Sequence, residues 1–258
     1  MIQQLLPDTR ILICRPEPSA SELSKVLESV GARCEILPML MIQPLDISAQ
    51  ARQKIMNLDQ YDHVIVVSQH AAILGLSIID EYWPQFPLQQ NWFAIGRKTA
   101  HSLKPVGLTL IEPNADLNSE ALLSHALLAK VSGAKILILK GKAGRDTLEL
   151  ALNKRGATVD VISLYERVCP DYSLDVLEAS LIKFNPSYIV ALSGETLTNL
   201  IQLSKALKAE LQSKAFILSS ERVANIAQDQ GYKSTYIAHN LMPMDIIRCI
   251  AKARKEIH

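Results

Sequence analysis

The chain of 258 residues lacks most of the features that announce a chemistry. Its four cysteines, Cys14, Cys34, Cys169 and Cys249, are scattered and form no CxxC pair, which argues for reduced cytoplasmic thiols rather than a disulfide framework. Six histidines are equally dispersed, none in a spacing such as HExxH, so no metal is expected. No apolar run approaches a membrane span, and the opening MIQQLLPDTR has neither a basic region nor an apolar core; neither a membrane segment nor a signal peptide is expected. Charge of one sign is also missing. With 27 Lys and Arg against 26 Asp and Glu, the net charge of +1 excludes the broad basic face of a nucleic-acid or membrane-surface binder, though not a local basic cleft. No GxGxxG follows a strand-like run, GKAGRD lacks P-loop spacing, and no GxSxG surrounds a serine. Dinucleotide binding, P-loop chemistry and serine hydrolysis are therefore unsupported.

What the chain does contain is itself, twice. RILICRPEPSASELSKVLESVGARCEI from Arg10 aligns without a gap on KILILKGKAGRDTLELALNKRGATVDV from Lys135. That offset of 125 sets Arg15 on Lys140, Gly31 on Gly156, and Ser68 of DHVIVVSQHA on Ser193 of SYIVALSGET. One deletion brings FAIGRKTA (Phe93 to Ala100) over ILSSERVA (Ile217 to Ala224), and Gly107 over Gly231. The chain is a duplication.

Apolar runs at Ile11 to Cys14, Val64 to Val67, Ile136 to Leu139 and Tyr188 to Leu192 suit strands buried on both faces. Between them lie helical patterns such as Leu23, Val26, Leu27, Val30. Ser19 with Glu22 reads as a capping box, Gly31 as a C′ glycine, and Asp146, Glu149 and Gly156 repeat the arrangement. Alternating strand and helix predicts an α/β fold of two doubly wound parallel-sheet domains. Pro38 interrupts one extended segment, and the second copy carries a long one through Val161 to Val168. Pairing of about 36–43 with 161–168 as a two-stranded β-ladder linker would leave a discontinuous domain, 1–38 plus 169–258, around an inserted domain, 43–162.

Ligands of doubly wound sheets bind at the carboxyl ends of the strands. Arg15, Ser68, Gln69, His70, Gly96, Arg97, Lys98 and Thr99 stand there in the first copy, and Lys140, Gly141, Ser193, Gly194, Glu195, Ser219, Ser220 and Arg222 in the second. Several open helices, whose first turns offer unsatisfied N–H groups worth roughly 0.3–1 kcal/mol each toward an anion. The plainer reading of each serine is an N-cap. Ser68 with His70 suggests a nucleophile and its base, but His70 has no histidine counterpart, and from a helix start the two side chains point apart; a solvent-facing His70 is expected. Tyr165, in SLYERV, has Leu40 as its repeat partner. A hydroxyl in only one copy suits chemistry on an asymmetric substrate, or equally a tyrosine packed across a strand pair.

ILICRPEP, GARCEILPMLMIQP, VVSQHAA, WFAIGRKTA, KILILKGKAGRDTL, RGATVDVISLYERV and SSERVANIA together resemble the bacterial uroporphyrinogen-III synthases, from about Arg10 to the C-terminus. The resemblance implies two α/β domains joined by a β-ladder, with the active site between them. It implies closure of the linear tetrapyrrole hydroxymethylbilane to uroporphyrinogen III, with inversion of ring D, loss of water, and neither metal nor organic cofactor. It also implies that Tyr165 helps the hydroxyl leave. The family often places a threonine in the second-copy turn; here Val223 stands at that position, so Ser219 or Ser220 would bind carboxylate instead. No nucleic-acid or membrane partner is implied, and a transient contact with the preceding pathway enzyme is left open. The alternative is a two-domain protein that binds a small polyanion without catalysis.

Overall fold

The computed structural model describes residues 5–87, 89–104, 110–111, 119–144 and 146–257; Gly107 of the repeat and the first four residues of the N-terminal stretch lie outside them. Two compact units divide the chain: Met1–Met41 with Val168–His258 (unit 1), and Ile42–Arg167 (unit 2). In chain order the strands are β1 (Arg10–Ile13), β2 (Arg33–Ile36), β3 (Met41–Pro44), β4 (His63–Val66), β5 (Asn91–Ala94), β6 (Leu110–Ile111), β7 (Lys135–Gly141), β8 (Thr158–Val168), β9 (Tyr188–Val190), β10 (Ala215–Leu218) and β11 (Thr235–Ile237).

The sheet of unit 1 runs β2-β1-β9-β10-β11, and that of unit 2 runs β3-β8-β7-β4-β5-β6. Apart from β3 at its edge, the second repeats the first, with β7 for β1, β8 for β2 and β4 for β9. Each sheet thus takes its first two such strands from one copy of the duplication and the rest from the other. Unit 1 has the 2-1-3-4-5 order of flavodoxin-like folds; unit 2 has the same arrangement of equivalent strands but reads 5-4-1-2-3 along its own chain, a circular permutation, with parallel pairing from β2 through β11 and from β8 through β6.

The strands are strands because both faces are apolar. In unit 1, Leu12, Ile189 and Phe216 pack into one core layer while Ile11, Ile13, Val190 and Ile217 pack into the other. In unit 2, Val64, Val66, Leu137 and Leu139 oppose Ile65, Ile136 and Ile138 in the same way. The period of two carries each residue to the face its neighbour leaves. Each such side chain contributes roughly 1.5–3 kcal/mol by burial, so a truncation such as Leu137→Ala costs about 2–5 kcal/mol.

Both first-copy and second-copy helices end on a left-handed glycine, Gly31 (φ 96°) and Gly156 (φ 84°). Ala32 N–H reaches Leu27 O and Gly31 N–H reaches Glu28 O; Ala157 to Leu152 and Gly156 to Asn153 repeat this Schellman pattern. The starts of these helices differ from expectation. Ser19 is the first residue inside its helix rather than its cap, because Pro18 already has helical angles (φ −80°, ψ −2°). Glu17 does the capping instead, accepting from Ser21 N–H at 3.0 Å and from its hydroxyl at 2.7 Å. Asp146 sits at its N-cap without a side-chain capping bond, since its carboxylate goes to Lys140.

Pro38 falls where β2 has ended. The chain still follows β1, through Leu37 N–H to Ile13 O and Met39 N–H to Cys14 O. Tyr172 Oη donates to Pro38 O and Asn199 Nδ2 to Met39 O, which satisfies the carbonyls at this break. Strand β8 is eleven residues long, paired with β7 on one side and lying beside β3 on the other, where Leu45 N–H bonds Leu164 O. Among the described residues, no helix is long and apolar enough to cross a membrane.

Candidate active site

In a 2-1-3-4-5 sheet the crevice lies between strands 1 and 3, where successive connections leave in opposite directions. In unit 2 that place is the carboxyl end of β7 beside β4. A cavity of about 400 Å³ opens there, lined by Ser68 and Ile95, by Lys140 and Gly141 at the end of β7, and by Tyr165 and Arg167 on β8.

Ser68 ends the β4 run and caps the helix Gln69–Tyr82, its Oγ accepting from Ala71 N–H at 3.1 Å. The same oxygen stands 3.0 Å from Tyr165 Oη, and either hydroxyl can donate. The Tyr165 ring is 8% exposed and lies directly on Gly141. A methyl group at Gly141 would come within 2.7 Å of its Cζ and 2.8 Å of Cε2. A register irregularity between Lys140 and Gly141 brings Tyr165 opposite that glycine. Packing and hydroxyl chemistry, the two readings of Tyr165, thus meet in one residue: the ring is core, and the Oη reaches the cavity wall.

His70 is not solvent-facing. It is half-buried, with its ring 5.6 Å from that of Tyr165 and tilted by 59°. Its helix starts against β8, which places the first turn over the tyrosine. Gln69 beside it is half-buried as well.

Lys140 is buried, and its Nζ lies 2.8 Å from Asp146 Oδ1. The carboxylate offsets part of the cost of burying the ammonium, so removing Asp146 would leave a largely desolvated charge without this partner. At the end of β5, Gly96 takes φ 92° and opens the short helix Arg97–Leu103. Arg97 and Lys98 are exposed. Thr99 is buried, with its hydroxyl donated to Ile95 O at 2.6 Å. Its counterpart Val223 is wholly buried too. This position faces the core in both copies, which is why a threonine and a valine are interchangeable there.

Unit 1 assembles the second set. Arg15, Ser193, Gly194, Glu195, Ser219, Ser220 and Arg222 follow β1, β9 and β10, which are adjacent and parallel, so all lie along one sheet edge. Ser193 caps the helix Gly194–Leu203 through Thr196 N–H at 3.1 Å and donates to Thr196 Oγ1 at 2.8 Å. Ser68 has no such neighbour at Ala71, which leaves its hydroxyl for Tyr165. Ser220 precedes the helix Glu221–Asp229 without a side-chain capping bond. Arg222 approaches the backbone of Gly194, where an added Cβ would stand 3.4 Å from Nη1. Arg15 is half-buried; burial lowers its pKa from the ordinary guanidinium value, with the charge of Glu22 opposing.

Asp146 and Arg167 belong to the cavity although their types alone do not single them out. Arg167 is two residues from Tyr165 on one strand, and period two is the signal that finds it. Asp146 reads as a helix cap from sequence, and only the fold turns it toward Lys140.

Two mostly parallel sheets with hydroxyl- and cation-bearing strand ends, and a buried tyrosine in a cavity at a switch point, define a two-unit α/β protein. Known proteins make this specific. A family model described as uroporphyrinogen-III synthase HemD matches residues 21–247. The uroporphyrinogen-III synthase of Escherichia coli is 30% identical over 236 residues, covering 89% of this chain and 95% of its own. That of Synechococcus elongatus is 26% identical over 207 residues, 79% of this chain and 77% of the relative. Among solved structures, uroporphyrinogen-III synthetase from Helicobacter pylori shares the fold at a TM-score of 0.58 and 14% identity, over 95% of this chain and 99% of that one. A mutant uroporphyrinogen III synthase from Thermus thermophilus does so at 0.57 and 16%, over 96% and 99%. The chain belongs to the uroporphyrinogen-III synthase family, cyclising lyases of haem and tetrapyrrole biosynthesis that need no cofactor, and a purely binding role is not favoured.

Proposed function

We propose that this chain closes hydroxymethylbilane to uroporphyrinogen III, with the Tyr165–Ser68 hydroxyl pair acting on the leaving group. The observation that carries this reading is the Oη–Oγ distance of 3.0 Å on the wall of the unit 2 cavity, beside buried Lys140. Ser68 Oγ is polarised by the Ala71 N–H that it accepts, and can pass its own proton toward Tyr165 Oη. The phenol proton is then available to the departing hydroxyl. The phenol donates that proton to the hydroxyl as the pyrrole nitrogen's electron pair expels it as water, which gives the N-protonated azafulvene.

The substrate's eight carboxylates suit the cations and hydroxyls at the strand ends of each unit: Lys140, Arg97 and Lys98 in unit 2, and Arg15, Arg222, Ser193, Ser219 and Ser220 in unit 1. Charge-assisted hydrogen bonds of roughly 1.5–3 kcal/mol each supply the grip without an overall basic protein. Unaided closure joins the unsubstituted end of ring D. The enzyme's work is orientation: the chain is held so that the substituted carbon attacks first, through a spiro intermediate, and binding energy goes into that geometry. The test is to add purified protein to freshly generated hydroxymethylbilane and resolve the uroporphyrin isomers after oxidation. Isomer III is expected; isomer I alone at high protein concentration refutes the proposal.

A further inference from the structure

The opposite, amino-terminal edge of the unit 1 sheet holds a second cavity, of about 480 Å³. Arg10, Lys214 and Arg254 line it, together with the hydroxyl-bearing Ser187, Ser213 and Ser234. Asp8 also lines it, but its carboxylate is paired with Arg33 at 3.0 Å. Lys214 is buried and donates to Asn185 Oδ1. Burial lowers its pKa, Glu210 opposes this, and the neighbouring charge of Arg10 lowers it again.

The duplication supplies an internal control. The same backbone bonds recur at this edge of unit 2: Ser187 N–H to Arg10 O matches Asp62 N–H to Lys135 O, and Ala215 N–H to Ser187 O matches Asn91 N–H to Asp62 O. The side chains do not match. Where unit 2 has Asp62, unit 1 has Ser187; where unit 2 has buried Gln90, unit 1 has buried Lys214; Lys135 corresponds to Arg10. In unit 2 the Asp62 carboxylate also accepts the Lys135 N–H at 2.8 Å, an internal acceptor that unit 1 lacks. The framework therefore folds without a buried cation, and unit 1 has exchanged an acid for a hydroxyl and an amide for an ammonium around one cavity. Structural need does not explain gathering like charges there, since each raises the cost of burying the others.

We infer that this cavity binds the phosphate group of a small molecule, held by Lys214, Arg10 and Arg254 with serine hydroxyls as further donors. A phosphate carries nearly two negative charges and three acceptor oxygens, which suits three cations and neighbouring hydroxyls better than a single carboxylate does. The cavity is larger than a free phosphate ion, leaving room for the ester's organic part.

The full chain would be titrated calorimetrically with inorganic phosphate and with phenyl phosphate, against chloride at matched ionic strength, and with malonate as a dicarboxylate. Phosphate binding beyond chloride is expected, and tighter binding of phenyl phosphate would assign the site to an ester rather than the free ion. Two variants restore the residues of the other unit, Lys214→Gln and Ser187→Asp. Each should weaken phosphate binding by about tenfold or more, the worth of one charge-assisted contact. Should Ser187→Asp fail to fold, Lys214→Gln decides. No phosphate effect beyond chloride, unchanged affinity in the variants that fold, or malonate binding as tight as phosphate overturns the inference.

Discussion

Replacing Gly141 by alanine tests the site where its geometry is tightest. The added methyl would stand 2.7 Å from Tyr165 Cζ, so the phenol must retreat by about 0.7 Å to reach ordinary contact near 3.4 Å. The ring is 8% exposed and sits in a packed core layer, so that movement meets resistance from Leu139, Leu164 and their neighbours. Overpacking of this kind costs about 1–3 kcal/mol, which for a chain of this size lowers the melting temperature by roughly 2–4 °C per kcal/mol. The catalytic effect should be larger than the stability effect suggests. A retreat of that size stretches the 3.0 Å contact between Tyr165 and Ser68 beyond hydrogen-bond length. Misplacement approaching 1 Å costs up to roughly 100-fold in rate. Isomer-resolved turnover should therefore show kcat down by about 10- to 100-fold with KM little changed. The decisive comparison is a double-mutant cycle with Tyr165→Phe, which by itself should slow turnover while product binding stays nearly constant. If Gly141 acts by placing the hydroxyl, Gly141→Ala should add little in the Tyr165→Phe background. Full additivity of the two losses, or wild-type turnover in Gly141→Ala, would refute the positioning argument.

The two capping serines should part company under the same substitution. Ser68→Ala and Ser193→Ala each remove a bond from a helix start, worth about 1 kcal/mol in thermal or denaturant unfolding. Only Ser68 touches Tyr165, so Ser68→Ala lowers kcat whereas Ser193→Ala raises KM; equal effects on kcat would count against the hydroxyl pair. The acid limb of stability should report His63, which burial holds below its usual pKa of 6.5 despite nearby Asp62. Because the unfolded chain takes up that proton first, its contribution is complete above pH 6.5 and is lost as pH falls through the lower folded value. His63→Gln should shrink the drop in melting temperature between pH 7.5 and 5.5, and an undiminished drop would assign it to other groups.

Much of this protein is written in short-range patterns. Apolar runs such as Ile11 to Cys14 and Ile136 to Leu139 lie buried along β1 and β7, and Gly31 and Gly156 end their helices in the left-handed conformation that their spacing implies. The duplication is equally legible, since it needs only matching of residues at one offset. Capping was harder to read. Ser19 and Asp146 have the right chemistry at a helix start, but Glu17 accepts from the backbone at the first helix and Lys140 takes the Asp146 carboxylate at the second. A side chain with two available partners is decided by which one the fold delivers.

Sequence by itself determined the alternation of strand and helix, the two copies, the strand-end positions of Ser68 and Ser193, and the family, because each rests on neighbours along the chain. Tertiary structure alone decided the strand order within each sheet and the place of β3 at the edge of the unit 2 sheet. It also brought Tyr165, 97 residues from Ser68, within 3.0 Å of it across Gly141. It turned the Thr99 hydroxyl inward to Ile95 O. Pattern sets which face of an element is buried; contact between distant polar groups depends on register and on a missing Cβ, which exist only once β7, β4 and β8 lie side by side.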